Sequence, residues 1–393
     1  MRLFDEIDRH DEGPAQYAEP QFTYLNRSAR VMFSRTRLVL EAWFSRYPVP
    51  ERADLRARFR SENDAQHRAA FFELFLHELL LRLGYSVTIH PSLSEATTRR
   101  PDFLVESQTG GGFYMEAVLA SDESKEDAAA RARMNVVYDT LDQLDSPNFF
   151  IGMELRGAPR TPPRAGPIRS FLTERLAELD PDEMTQLLES GSFGALPRWR
   201  FEHEGWKIDF FPIPKSPNSR GRPGSRPMGM RIHQMRFSDP RRAIRDAIVG
   251  KAGRYGDLGL PYVIAVNALE AGVDRTDIME ALFGKEKSTV KLTPSGPSES
   301  EATREPDGVW TSRSGPRYTR VSAVLLASPV LPWNVPRADI CLYHNPWARR
   351  PCTSELTRLP QAILEPTRGD HMEWQDGESL GTIFGLHGEW PKA

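Results

Sequence analysis

A chain of 393 residues, 39% of them hydrophobic and including 8 Trp and 20 Phe, has material for two or three domain-sized units, which excludes global disorder. A net charge of −3 excludes a histone-like coat of positive charge, although not a local basic face. Two cysteines, Cys341 and Cys352, cannot by themselves build a disulfide framework or a four-ligand zinc site, so a reducing, cytoplasmic setting is expected. The opening residues, Met1 to Glu6, lack the apolar run of a signal peptide, and no stretch approaches the roughly 18 consecutive apolar residues of a membrane span.

Residues 1 to about 24 mix Gly, Pro and acids without period, which predicts a loosely held arm. Val31, Met32, Leu38, Leu40, Trp43 and Phe44 then predict a helix over 27–47, stopped by Pro48 and Pro50, so that 1–60 reads as an arm and a helical collar. A second helix is predicted over 65–83, with Phe72, Phe75, Leu76, Leu79, Leu80 and Leu83 as its apolar stripe and Gly84 as its stop. The period then changes to two. Strands are predicted at 85–89, 101–105 and 113–119, a helix over 123–144 and a fourth strand over 148–155. An α/β core over 61–160 is therefore expected, a mixed sheet flanked by helices. Residues 161–393 read as an α+β extension, with flexible loops at about 212–229 and 284–308 and elements that could add to the core sheet.

The core carries three carboxylates in a suggestive order. In a hairpin turning at 107–112, Asp102 falls opposite Glu116 or one place off, and opposed Cβ atoms lie about 4.5–5.5 Å apart, close enough for two carboxylates to share a cation. Glu73 flanks the apolar stripe of its helix, with His77 one turn further on. Clustered carboxylates repel one another, so such a cluster favours a hard divalent metal, which takes oxygen ligands and can share a substrate's phosphates.

Phe72-Glu73, Leu79-Leu80, Leu83-Gly84-Tyr85, Pro101-Asp102 and Glu116 together resemble the PD-(D/E)xK, or restriction-endonuclease-like, nuclease superfamily, whose core has the order helix, three strands, helix, strand. The resemblance covers about residues 65–157 and rests on short, degenerate motifs. It implies that Asp102 and Glu116 bind Mg²⁺, with Mn²⁺ as a substitute, that Glu73 completes the site, and that the protein hydrolyses phosphodiester bonds in DNA, an activity consistent with defence against foreign DNA. One position departs from the pattern. Val118 stands where the family places its lysine, two residues after the second acid; some members carry that lysine on another element, and Lys125 is the nearest candidate in the chain. Val118 also motivates the alternative, a catalytically inactive nucleic-acid-binding or assembly protein on the same fold.

Lys215, Arg220, Arg222 and Arg226 open a basic run that extends to Arg245, a pattern suited to sequence-blind phosphate contacts. Nucleic acid, and DNA first, is the expected partner; a homo-oligomer stays open and a membrane is not expected. Residues 239–267 combine a basic helix, including Lys251, with an apolar strand that would extend the nuclease sheet or form a small core of its own. Phosphate-binding glycine loops, nucleophile elbows and zinc-spaced Cys/His sets are missing, so ATP use, serine hydrolysis and zinc chemistry have no support.

Overall fold

The computed structural model describes residues 1–93, 98–108, 110–191, 193–222, 226–233, 239–270, 272–293, 296–352, 356–365 and 371–392. The chain divides into two units, one made of Met1–Gly13, Pro20–Asp122 and Ser238–Ala393, the other of Pro14–Glu19 and Glu123–Phe237. The first unit begins with α1 (Gln21–Arg27), α2 (Val31–Arg46), α3 (Arg52–Phe59), α4 (Asp64–Arg82), β1 (Tyr85–Ile89), β2 (Phe103–Ser107) and β3 (Gly112–Ala120). The second unit holds α5 (Lys125–Asp142), β4 (Phe149–Arg156), α6 (Ala165–Ala177), α7 (Pro181–Ser190), β5 (Trp199–His203), β6 (Trp206–Pro214) and β7 (Met228–His233). The chain returns to the first unit with α8 (Pro240–Ala252), β8 (Tyr262–Ala268), α9 (Arg275–Phe283), β9 (Glu286–Thr293) and β10 (Gly296–Arg304). It closes with β11 (Ala323–Ser328), β12 (Asp339–His344), β13 (Gln361–Glu365), β14 (His371–Gln375) and α10 (Leu380–Phe384).

In the first unit α4 starts where the Asn63 side chain accepts from the amides of Ala65 and Gln66, satisfying two donors that a helix start leaves open. It ends before Gly84, whose φ of +93° suits a residue without a Cβ. β1 and β2 pair antiparallel, as do β2 and β3, with Phe103 opposite Met115. β3 then runs parallel to β8, with Glu116 beside Ile264. A parallel neighbour needs a crossover, and α8 supplies it. β8 lies between two parallel partners, β3 and β11, and every one of its residues is buried, which explains why Tyr262-Val263-Ile264-Ala265-Val266 reads as an unbroken apolar run.

Among the described residues the large sheet has the order β1-β2-β3-β8-β11-β12-β13-β14 and is mixed in direction. Alternate side chains feed two cores. Phe103, Val105, Met115, Val263 and Ala265 pack with residues of α1 to α4, whereas Ile264, Val266, Val324 and Leu326 pack with residues of α8 and α9. Each fully buried side chain of this size stabilises the fold by roughly 1.5–3 kcal/mol, so both faces are strongly specified. The unit is thus a mixed α/β structure with helices on both faces of its main sheet. No described helix is long and apolar enough to cross a membrane.

The helix expected over 123–144 and the strand expected over 148–155 both form, as α5 and β4, but their place is in the second unit. β4 pairs antiparallel with β6 and parallel with β7, and the order of that sheet is β5-β6-β4-β7. Its packing is close: a Cβ on Gly152 would stand 2.1 Å from the Phe211 ring. The helix and strand that continue the sheet after β3 are α8 and β8. The Asp239 amide donates to Asp122 Oδ2 at 3.4 Å, so the main unit is left and re-entered at one point. Two other segments differ from expectation. In the arm, Leu3 and Phe4 are buried and the Phe4 amide donates to Glu41, because an apolar pair inside an acidic stretch still finds the core. Over 284–308 the paired strands β9 and β10 form, although that segment is too polar to read as buried strands.

Candidate active site

The three predicted carboxylates all lie in the first unit, and each is drawn toward the same region by a different element. Glu73, in the middle of α4, is 6% exposed. Its Oε1 accepts from the Tyr47 hydroxyl at 2.6 Å and from Arg58 Nη2 at 3.1 Å, and its Oε2 accepts from Arg58 Nη1 at 2.7 Å. Arg58 sits in the last turn of α3, and Tyr47 caps the end of α2, so the helical collar holds the acid in place.

Asp102 precedes β2. Continuing the Phe103–Met115 register by one residue sets Asp102 opposite Glu116, and Asp102 Oδ2 accepts from the Ala117 amide at 2.7 Å. Its other carboxylate oxygen accepts no hydrogen bond from the described residues. Burial, and then the charge of Glu116, push the Asp102 carboxyl up to about 6. Its surroundings therefore resist its negative charge.

Glu116 is 1% exposed and fully engaged. Lys251 Nζ donates to Oε1 at 2.7 Å, Arg254 Nη1 to the same oxygen at 3.1 Å, and the Tyr255 hydroxyl lies 2.8 Å from Oε2. Lys251 lies in the last turn of α8, and Arg254 and Tyr255 follow directly after its C-cap Gly253, so the helix end and the chain leaving it close on a single carboxylate. The same hydroxyl stands 2.7 Å from the Arg100 carbonyl, so its one proton ties Glu116 and the strand entry to α8. Burial and the bond to Glu116 raise the Tyr255 hydroxyl well above its ordinary value, which keeps it protonated as a donor.

A cavity of about 160 Å³ is lined by Glu73, Asp102, Val118, Arg58 and Lys251, with Glu116 buried behind Lys251. Val118 supplies no charge to the cavity, and the amine at its wall is that of Lys251, from α8. Lys125 lies in the second unit, exposed at the start of α5 and following the N-cap Ser124. His77 is buried, 4.9 Å from the Tyr47 ring, and burial holds it down to about 4, so it is a neutral packing group. Among the described residues, no three His, Cys, Asp or Glu side chains are arranged to hold a metal ion. The donors on hand for a cation are the unbonded oxygen of Asp102, which faces like charge, and Glu116 in competition with Lys251 and Arg254.

The predicted basic run has local partners. Lys215 is 2% exposed, donates to the Ser146 carbonyl and lies over the Phe150 ring. Arg220 bonds Asp182, and Arg226 pairs with Asp142 and donates to the Ala15 carbonyl, while Arg222 is exposed. Sequence reasoning missed Tyr47, Arg58, Arg254 and Tyr255 as neighbours of the acids and placed Lys251 only on a basic helix. Lys251, Arg254 and Tyr255, at helical spacing next to an apolar strand, were the one available signal. Compared with family models, curated proteins and solved structures, the chain matches none.

Proposed function

We propose that the first unit is a divalent-metal-dependent phosphodiesterase acting on DNA, with Asp102 and Glu116 as the metal-binding carboxylates. The observation that carries this reading is Lys251: its amine meets Glu116 at 2.7 Å and lines one cavity with Asp102 and Glu73, where the resemblance to restriction-endonuclease-like nucleases requires a lysine and Val118 provides none. The order α4-β1-β2-β3-α8-β8, with β3 and β8 parallel, supports the same likeness once residues 123–237 are set aside as an insertion. Asp102 fits a cation, because a partly unbonded carboxylate whose charge is opposed by burial and by Glu116 gains from a positive partner. When bound, Mg²⁺ or Mn²⁺ would activate water and neutralise charge on the phosphate. Lys251 would contribute positive charge beside the reacting phosphate, and Arg58 and Tyr47 would fix Glu73 at the cavity wall.

A second reading, a non-catalytic nucleic-acid-binding protein, is favoured by the full engagement of Glu116 and by the lack of a three-ligand set among the described residues. Cleavage of supercoiled plasmid with Mg²⁺ or Mn²⁺, against EDTA, separates the two. The hydrolase reading expects cutting by the wild type and its loss, by about a hundredfold or more, in Asp102→Asn and Glu116→Gln. A wild type that retains DNA but never cuts it would establish the second reading instead.

A further inference from the structure

The last turn of α8 and the loop after it border more than the acid cavity. Lys251 lines that cavity; Val249, Gly250, Gly253 and Arg254 line an open groove with Arg99; and residues from Ala252 to Leu258 line a third hollow with Arg320, Arg349 and Arg350. Arg254 belongs to two of these environments, since its guanidinium bonds Glu116 and is 41% exposed to the groove. Apart from the neighbouring backbone, no described atom lies within 4 Å of where a Cβ would stand on Gly250 or Gly253, so the groove floor is open.

We infer that this arginine strip, running from Arg99 and Arg254 to Arg320, Arg349 and Arg350, is the surface on which the sugar–phosphate backbone of DNA lies. The inference deepens the hydrolase reading and rests on it only for the identity of the polyanion. The charge balance favours that occupant. Five arginines line the two hollows; among the described residues Arg254 meets Glu116 at 3.1 Å and Arg350 meets Asp257 at 3.2 Å, whereas Arg320 and Arg349 have no carboxylate within ion-pair distance. Among the described residues Arg320 is exposed and has no hydrogen-bond or ion-pair partner, and the Arg349 side chain donates to Thr319 alone. Exposed guanidinium groups without carboxylate partners repel one another and gain from phosphates, which accept from them in pairs. The strip also adjoins the helix end that closes on Glu116, so a backbone held there would pass the cavity. The basic run of the second unit, by contrast, meets its own acids and carbonyls at Arg220 and Arg226.

The test is binding of the full chain to a short labelled DNA duplex in EDTA, over a salt titration, so that affinity is read without cleavage. In Arg320→Ala/Arg349→Ala/Arg350→Ala, affinity should fall about tenfold or more, and the slope of log affinity against log salt should flatten by roughly three. The triple Arg→Lys variant should keep most of both. Arg320→Glu breaks no bond within the protein and should weaken binding alone, which covers a triple variant that does not fold. Wild-type affinity and slope in the triple variant, or no salt-dependent binding by the wild type, would overturn the assignment. Cleavage and binding measured on the same wild type and arginine variants separate the two proposals. Binding that depends on the strip in a wild type that never cuts removes hydrolysis and leaves the surface. Cutting with unchanged binding in the arginine variants does the reverse.

Discussion

Lys251→Met tests the centre of the site, because it removes one bond from a buried carboxylate and one charge from the cavity. Breaking a buried ion pair costs about 3–5 kcal/mol when the surviving charge is left without compensation. Glu116 would keep Arg254 at 3.1 Å and Tyr255 at 2.8 Å, so the loss falls to that of one hydrogen bond to a charged group, about 1.5–3 kcal/mol. The upper part of that range is favoured, since Arg254 is 41% exposed and its attraction is screened by water. Urea denaturation should therefore show a lower midpoint with an unchanged slope, equivalent to a folding constant reduced roughly 50- to 150-fold. Lys251→Arg should recover most of that stability, because a guanidinium can still donate to Oε1. Cleavage should respond differently, falling by about two orders of magnitude in Lys251→Met as when a preorganised electrostatic donor is removed, and recovering little in Lys251→Arg. Wild-type cleavage by Lys251→Met would refute the reasoning and leave Lys251 as no more than a counter-charge for Glu116.

Two pH-dependent predictions follow from groups in or beside the site. Asp102 titrates at about 6 in the folded protein against its ordinary 3.8, so the folded state keeps a proton that the unfolded chain has lost; stability falls as pH rises through that window, by roughly 3 kcal/mol in full, and the penalty stays above it. Asp102→Asn should accordingly match the wild type near pH 4 and exceed it at about pH 8 in urea denaturation, and a variant less stable than wild type at the higher pH would refute the assignment. His77 has the opposite sign: held down to about 4 from 6.5 by burial, it favours unfolding as pH falls through that window, with stability full above 6.5. His77→Phe should remove a loss of roughly 3 kcal/mol between those values, and parallel curves for variant and wild type would show that His77 does not titrate there.

The acids were legible in the sequence because each depends on local pattern. Period-two alternation around Phe113 to Val118 and the Asp102 strand entry fix a hairpin register, and that register brings two carboxylates together whatever else the chain does. α4 was legible for the same reason, since an apolar stripe ending at glycine needs no knowledge of its partner. The partner of β3 was not. β4 and β8 are both short apolar runs preceded by a helix, and nothing in their periodicity says which one lies beside β3. The choice is made by 115 residues that leave the main unit at Asp122 and return by Asp239. The basic run misled in a similar way, because a count of charges does not show which of them meet carboxylates. Arg220 and Arg226 do, whereas Arg320 meets none among the described residues.

The position of Val118 shows how far local pattern can be carried. A lysine two residues after a strand acid lies on the same face as that acid, so a motif of fixed spacing is one way of placing an amine beside Glu116. It is not the only way, because the electrostatic requirement concerns distance and not sequence. β3 and β8 are neighbours, and α8 crosses between them on the face where Tyr114 and Val118 pack, so its last turn passes over Glu116. An amine from that turn reaches Oε1 at 2.7 Å, while a lysine at 118 would have shared the face with it and added like charge to the same cavity wall. Valine at 118 and lysine at 251 are then two halves of one arrangement. On this argument Val118→Lys alone would crowd two cations, and Val118→Lys with Lys251→Met would restore the balance.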